Sequence, residues 1–141
     1  MMAENTWDRL TDQIERHEGL RLKPYRCTSG KLTIGVGRNL EGRGILKSEA
    51  DFLLYNDLEE CHADLVSIFP NFNTFCQNRQ IALIDLRFNL GHSGFRTFSR
   101  LIKAVHKKDW VNAAGELISS KWWGQVQKER RETLYRQILE G

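Results

Sequence analysis

Only one stretch of this chain, residues 20–40, is rich in glycine and β-branched residues, and every other patterned segment has helical spacing. That asymmetry limits the fold to a small hairpin set among helices. Two short strands, 25–28 and 31–36, are predicted, with Ser29-Gly30 turning the chain between them. Gly35, Gly37, Gly42 and Gly44 then mark an irregular loop. Before the hairpin, Trp7, Leu10 and Ile14 recur at helical spacing, so a helix is predicted over 5–17, with Gly19 able to stop it.

Behind the hairpin, Ser48 with Asp51 suggests a capping box. Ala50, Leu53, Leu54, Leu58, Cys61, Leu65 and Ile68 then follow at steps of three, four and seven, a helix of about 20 residues that Pro70 ends. Asn78 is placed to cap the next helix, running to Leu90 with Gly91 beyond its end. That helix is apolar on most sides over 81–86, so it is expected to be buried. Three more helices are predicted at 96–107, 109–120 with Asp109 as cap, and 126–139. The expected class is α+β: a small hairpin lobe joined by one long helix to a mainly helical lobe.

Bulk properties narrow the function. The chain has 141 residues, enough for one domain or two small lobes sharing a core. Charge is uneven: residues 1–91 carry 11 Lys/Arg against 13 Asp/Glu, and residues 92–141 carry 10 against 5. A basic half attracts polyanions, among them nucleic acid, acidic lipid and the anionic bacterial wall. No nucleic-acid recognition motif accompanies it. Three cysteines, Cys27, Cys61 and Cys76, give no disulfide framework and fit a protein made in a reducing compartment. Neither a secretory leader nor a membrane-spanning run is expected, so the protein is expected to be soluble.

Cofactor signals are weak throughout. His17-Glu18 starts like a zinc-protease motif, but position 21 is Arg and no histidine follows at the needed spacing. The glycines at 35–44 lack the Gly-Lys-Ser/Thr ending of a phosphate loop. No metal and no nucleotide cofactor is expected.

Glu18 stands where a helix gives way to the only sheet. Such junctions suit a catalytic carboxyl, because a loop edge opens a cleft while packed elements fix position. Partial burial there would raise its pKa toward that of a general acid. An isolated helix-end glutamate is more commonly a surface residue, so its context decides. Residues 18–23 read Glu-Gly-Leu-Arg-Leu-Lys and residues 33–37 read Thr-Ile-Gly-Val-Gly. Between them, Glu18, Cys27 and Thr33 are separated by eight and by five residues. This segment resembles the active-site segment of the phage-type lysozymes, glycoside hydrolases that include many endolysins. The family pattern is Glu, eight residues, Asp or a substitute, five residues, Thr. The likeness continues through Phe88-Asn89-Leu90-Gly91, Gly94-Phe95, Phe98, Trp110, Ala113-Ala114 and Lys121-Trp122-Trp123.

The resemblance implies a single lysozyme-like, two-lobed domain over 1–141. Residues 18–68 would form the hairpin lobe and connecting helix, and 1–17 with 69–141 the helical lobe. It implies a muramidase. Glu18 would protonate the glycosidic oxygen of the β-1,4 bond between N-acetylmuramic acid and N-acetylglucosamine in peptidoglycan, through an oxocarbenium-like state. Thr33 would support the group that places the attacking water. Phe88 and Asn89 would line the substrate cleft, and Arg130 would be the arginine that the family sets beside its catalytic glutamate. Asn39, Leu101 and Glu116 fall at other cleft positions without matching the family's residue types. Trp122 and Trp123 could stack on sugar, although paired aromatics near a helix are more often core.

Cys27 departs from the commonest pattern, which has a second carboxylate. A thiol with an ordinary pKa of about 8.5 is a weak base at neutrality. Three readings stay open: a substitute that hydrogen-bonds and positions water, a thiolate nucleophile, or a disabled position. With them stand two alternatives to the muramidase, a catalytically impaired wall-binding protein and a lytic transglycosylase. The resemblance further implies a monomer, without stable membrane insertion. It would be made in the host cytoplasm and act in the periplasm or on the wall once a separate protein has permeabilised the membrane, causing lysis.

Overall fold

The computed structural model describes residues 1–141 and divides them into two compact units, Met1–Asp51 and Phe52–Gly141. The first unit opens with α1 (Glu4–Glu18) and continues through β1 (Arg21–Arg26), β2 (Leu32–Gly35) and β3 (Arg38–Asn39) into the single turn of α2 (Leu40–Arg43). The three strands form one antiparallel sheet in the order β1-β2-β3. The sheet therefore has one strand more than the sequence pattern suggests. Two-residue β3 is too short to carry any alternation.

The first strand also starts four residues earlier than predicted. Pro24 hides it, since a residue without an N–H breaks the strand signature. β1 is an edge strand, where that loss is tolerated, and the register shifts between Arg21 and Tyr25. Glu41 ties α2 to the hairpin. Its carboxylate accepts from Arg26 at 2.7 Å and from the Leu32 backbone N–H at 3.1 Å.

α3 (Lys47–Ile68) follows, 22 residues long and close to the predicted span. Its start differs in detail. The residue that reaches back to the N-terminus is Glu49, accepting from the Leu46 backbone N–H at 2.8 Å and from Arg38 at 2.7 Å. Ser48 and Asp51 form no capping box. Asp51 pairs instead with Lys47 along the helix.

The second unit holds the main apolar core. After a 3-10 turn at Phe72–Thr74 come α4 (Gln77–Arg96), α5 (Ser99–His106), α6 (Trp110–Ile118), α7 (Lys121–Gln125) and α8 (Lys128–Glu140). Phe69, Phe72, Leu83, Leu86, Phe95, Leu117, Leu134 and Ile138 are all fully or almost fully buried. Each such side chain contributes about 1.5–3 kcal/mol of transfer free energy. The aromatic rings meet edge-on: Phe69 on Phe95, and Phe75 on Trp110 at 5.1 Å between centroids.

Asp109 caps α6 as predicted, accepting from the Asn112 N–H at 3.2 Å. Asn78 does not cap α4. It lies inside the helix, which begins at Gln77 behind Cys76, and its amide donates to the Gly141 carbonyl at 3.2 Å. Trp122 is 4% exposed, and Trp123 packs against Tyr135, so both tryptophans are core.

Gly91 interrupts α4, with φ 78° and ψ 174°. This region of backbone space is essentially restricted to glycine. A Cβ there would meet nothing within 4 Å, so a substitution carries conformational strain alone. Gly91→Ala is expected to cost about 1–3 kcal/mol and lower Tm by several degrees. An unchanged thermal melt would mean that the kink does not depend on glycine.

Candidate active site

In the first unit, Glu18 is the last residue of α1. Gly19 follows at φ 78° and donates its N–H to the Glu15 carbonyl at 2.7 Å, closing the helix. The chain enters β1 two residues later, so the glutamate stands at the helix–sheet junction.

Facing it is the turn that joins β2 to β3. Gly35 and Gly37 both have positive φ there, 69° and 71°. A Cβ on Gly37 would stand 3.0 Å from Glu18 Oε2, so a larger residue there would press on the end of the carboxyl side chain. Gly37 therefore serves two needs, a left-handed turn and close approach by the glutamate. In the sequence Gly37 is both a loop glycine and the end of the Thr-Ile-Gly-Val-Gly run, and neither pattern shows its approach to Glu18. Glu18 is exposed, so the partial burial that the helix–sheet junction suggested is not observed.

Cys27 sits in the turn between β1 and β2. Its N–H donates to the Lys31 carbonyl at 3.0 Å, and its carbonyl accepts from the Gly30 N–H at 2.8 Å. Gly30 takes φ 81° to close the turn. The thiol is half-buried, with Sγ 3.1 Å from Ser29 Oγ. Hydrogen bonds from the Ser29 hydroxyl, then from the Lys31 and Ser29 backbone, lower its pKa to about 7. The thiolate is thus a major species near neutrality, unlike an ordinary cysteine. Ser29 is the residue that sequence reasoning missed. It was visible only as a turn former, and its second role needs the turn's geometry.

Thr33 is 3% exposed, the one buried polar residue of the unit. It lies in the middle strand, opposite Tyr25 on β1 and Asn39 on β3. Its hydroxyl donates to the Lys31 carbonyl at 2.8 Å, the same carbonyl that receives the Cys27 N–H. Thr33 thereby braces the turn that holds the thiol. The two other carboxylates near the sheet, Glu41 and Glu49, are held below the ordinary range. Their largest influences are the Leu32 N–H and the Arg38 guanidinium, respectively. Both are structural ties.

The remaining sequence candidates, apart from Asn39 in the first unit, lie in the second unit. Phe88 is 42% exposed and lines an apolar groove of about 400 Å³ with Leu54, Leu58, Ile81 and Ile84. Asn89 accepts a hydrogen bond from Trp122 Nε1 at 2.7 Å, so its oxygen is engaged in joining α4 to α7. Arg130 of α8 donates from Nε to Asp85 of α4 at 2.7 Å. Asn39 caps α2, accepting from the Gly42 N–H at 2.9 Å. Leu101 is buried and Glu116 is half-buried.

These features define an α+β protein in which a helix end, a hairpin turn and a strand carry a carboxyl, a low-pKa thiol and a buried threonine within 16 consecutive residues. Residues 15–137 match the model of the phage lysozyme family. An endolysin from Acyrthosiphon pisum secondary endosymbiont phage 1 is 37% identical, over 77% of this chain and 73% of its own length. An endolysin from Salmonella phage P22 is 31% identical, over 85% of this chain and 89% of its own. A probable T4-type lysozyme of Dictyostelium discoideum is 27% identical, over 89% and 91% respectively. The chain belongs to the phage lysozyme family and is a lysozyme-type cell-wall hydrolase.

Proposed function

We propose that the chain is an endolysin that hydrolyses the β-1,4 bond between N-acetylmuramic acid and N-acetylglucosamine. Glu18, protonated, gives its proton to the glycosidic oxygen as the bond from the muramic C1 breaks. Water attacks the resulting oxocarbenium-like carbon. Its proton passes to the Cys27 thiolate, and the product is a reducing muramic acid. Thr33 keeps the thiol's turn in place. The observation that carries this reading is the low pKa that Ser29 and the turn backbone give Cys27, because it supplies a base where the usual second carboxylate is absent.

This role separates Cys27 from a nucleophile, which would form a covalent glycosyl-enzyme. It also separates the protein from a disabled wall binder. Release by a membrane-permeabilising protein, and action in the periplasm, belong to the same proposal. No helix is long and apolar enough to cross a membrane.

The test is the clearing of outer-membrane-permeabilised Gram-negative cells by wild type, Cys27→Ala and Cys27→Asp across a pH series. Cys27→Ala is expected to lose about 10²–10⁴-fold in rate, the ordinary contribution of a general base. In wild type the pH profile is expected to carry a limb at about 7, where the thiolate forms, and Cys27→Ala is expected to lack it. Cys27→Asp is expected to keep clearing and move that limb down toward the carboxylate range, near ~4. If Cys27→Ala retains full rate and an unchanged pH profile, the thiol has no part in the reaction. If wild type is inert and Cys27→Asp is active, the wall-binding reading replaces the enzyme.

A further inference from the structure

Between Asp85 and Asp109 the chain has no acidic residue and six Lys/Arg. Arg87 and Arg96 are neutralised by Asp64, and Arg100 lines the groove between α5, α6 and α7. The other three, Lys103, Lys107 and Lys108, lie outside that groove and are exposed. None of them forms an ion pair. The next carboxylate, Asp109, is engaged with Asn112 as the cap of α6. Lys103 and Lys107 stand one turn apart at the end of α5, whose Leu101, Ala104 and Val105 face the core.

Lys108 adds a second observation. It is the chain's one non-glycine residue at positive φ, 54°. Its N–H donates to the Val105 carbonyl and the Asp109 N–H to the Ala104 carbonyl, each at 2.9 Å. This is the helix-closing turn in which glycine is the usual occupant, because any side chain there strains the backbone. A lysine at this point does nothing for the fold, so its side chain is the reason to look for a partner.

An apolar strip begins where the cations end. Val111, three residues after Lys108 and so within about 10 Å of it along the chain, is 70% exposed. Ile118, two turns further along the same face of α6, is 49% exposed. Gly115 lies between them, with open space where a side chain would stand. A hydrophilic polyanion, such as nucleic acid or a phosphate-bearing polymer, gains nothing from exposed valine and isoleucine. A lipid surface accepts both kinds of side chain at once, cations among the phosphates and apolar groups at the acyl boundary.

We infer that the end of α5 and the start of α6 form a peripheral docking surface for a membrane rich in anionic phospholipid. Lys103, Lys107 and Lys108 meet the headgroup phosphates, and Val111 and Ile118 enter the interface. The surface is separate from the residues given to cleavage, and it would hold the protein at the membrane without spanning it.

The experiment is vesicle flotation of the full chain at low salt. The vesicles hold equal parts phosphatidylglycerol and phosphatidylcholine, with pure phosphatidylcholine as comparison. Binding is expected to the anionic vesicles and to be at least about ten-fold weaker to the neutral ones. The triple variant Lys103→Gln, Lys107→Gln, Lys108→Gln is expected to lose about 100-fold in affinity, roughly five-fold per lysine, while keeping the wild-type melt. Val111→Ser, which leaves every charge in place, is expected to lose about three-fold. A control with the same net charge, Arg9→Gln, Arg16→Gln, Arg136→Gln, is expected to bind like wild type. The inference is overturned if anionic and neutral vesicles bind alike, or if the control loses as much as the lysine triple. It is overturned too if Val111→Ser is without effect while duplex DNA displaces the vesicles, which would assign the surface to a hydrophilic polyanion. The readout is binding rather than turnover, so its failure and the failure of the cleavage chemistry are distinguishable.

Discussion

Glu18→Gln is expected to reduce the rate of wall cleavage by about 10²–10⁴-fold while leaving the folded protein intact. The substitution keeps the shape of the side chain and removes its titratable proton. Within its unit the Glu18 carboxyl forms no ion pair, and its closest constraint is steric, the approach to Gly37. An amide fits the same space, so Tm should stay within about 0.5 kcal/mol equivalent of wild type, as for a surface exchange. The loss should fall on kcat rather than KM, because proton transfer to the leaving oxygen matters only as the bond breaks. A Glu18→Gln variant that clears cells at the wild-type rate would remove the general acid from the account.

The largest expected effect on stability belongs to Asp64. This α3 residue is 11% exposed and accepts at 2.6 Å from Arg87 Nε, and from Arg96 through both carboxylate oxygens. Arg87 is itself buried, at 6%. Its Nη1 also approaches the buried Cys61 thiol, whose pKa burial raises. Replacing Asp64 with Asn removes the negative charge between two guanidinium groups and leaves Arg87 buried without its counter-ion. Breaking a buried pair in this way costs about 3–5 kcal/mol.

The pH dependence of Asp64 follows from the same contacts. The hydrogen bond from Arg96, followed by that from Arg87, holds the Asp64 carboxyl far below the ordinary carboxylate range. Because the folded pKa is depressed, the stabilisation is present above the unfolded value of about 3.9 and is lost as pH falls below it. Thermal melts from pH 6 to pH 2 should show wild type losing this increment in acid, while Asp64→Asn starts low and falls less. Parallel curves for the two proteins would mean that the pair contributes nothing specific.

The candidate site was more legible in the sequence than the ties that hold the fold. Glu18, Cys27 and Thr33 fall within 16 consecutive residues, so their spacing and the glycines that turn the chain around them can be read locally. The long helix and the Asp109 cap are also local patterns, and they were predicted close to their observed bounds. Gly91 was read as a terminus and is a kink, because a single residue in unusual backbone space looks the same in sequence either way.

Bonds between distant residues left no such trace. Asn89 with Trp122, Arg130 with Asp85, and Asp64 with Arg87 and Arg96 join residues 23 to 45 positions apart. With 21 Lys/Arg and 18 Asp/Glu in the chain, composition offers too many partners to choose among. The Ser29 effect on Cys27 is different in kind. Its two residues are neighbours, but a hydroxyl lowers a thiol's pKa only when the turn aims it at the sulfur.

The most direct test of the central claim is the mass of the fragments that wild-type protein releases from purified peptidoglycan. Proton donation by Glu18 and attack by water require each new glycan end to be a reducing muramic acid, one water heavier than the cyclised form. Muropeptides with that mass, reducible by borohydride, are the expected result. Fragments ending in anhydromuramic acid would contradict it. They would mean that the muramic acid's own hydroxyl attacks C1, that no protein-placed water takes part, and that the chain is a lytic transglycosylase.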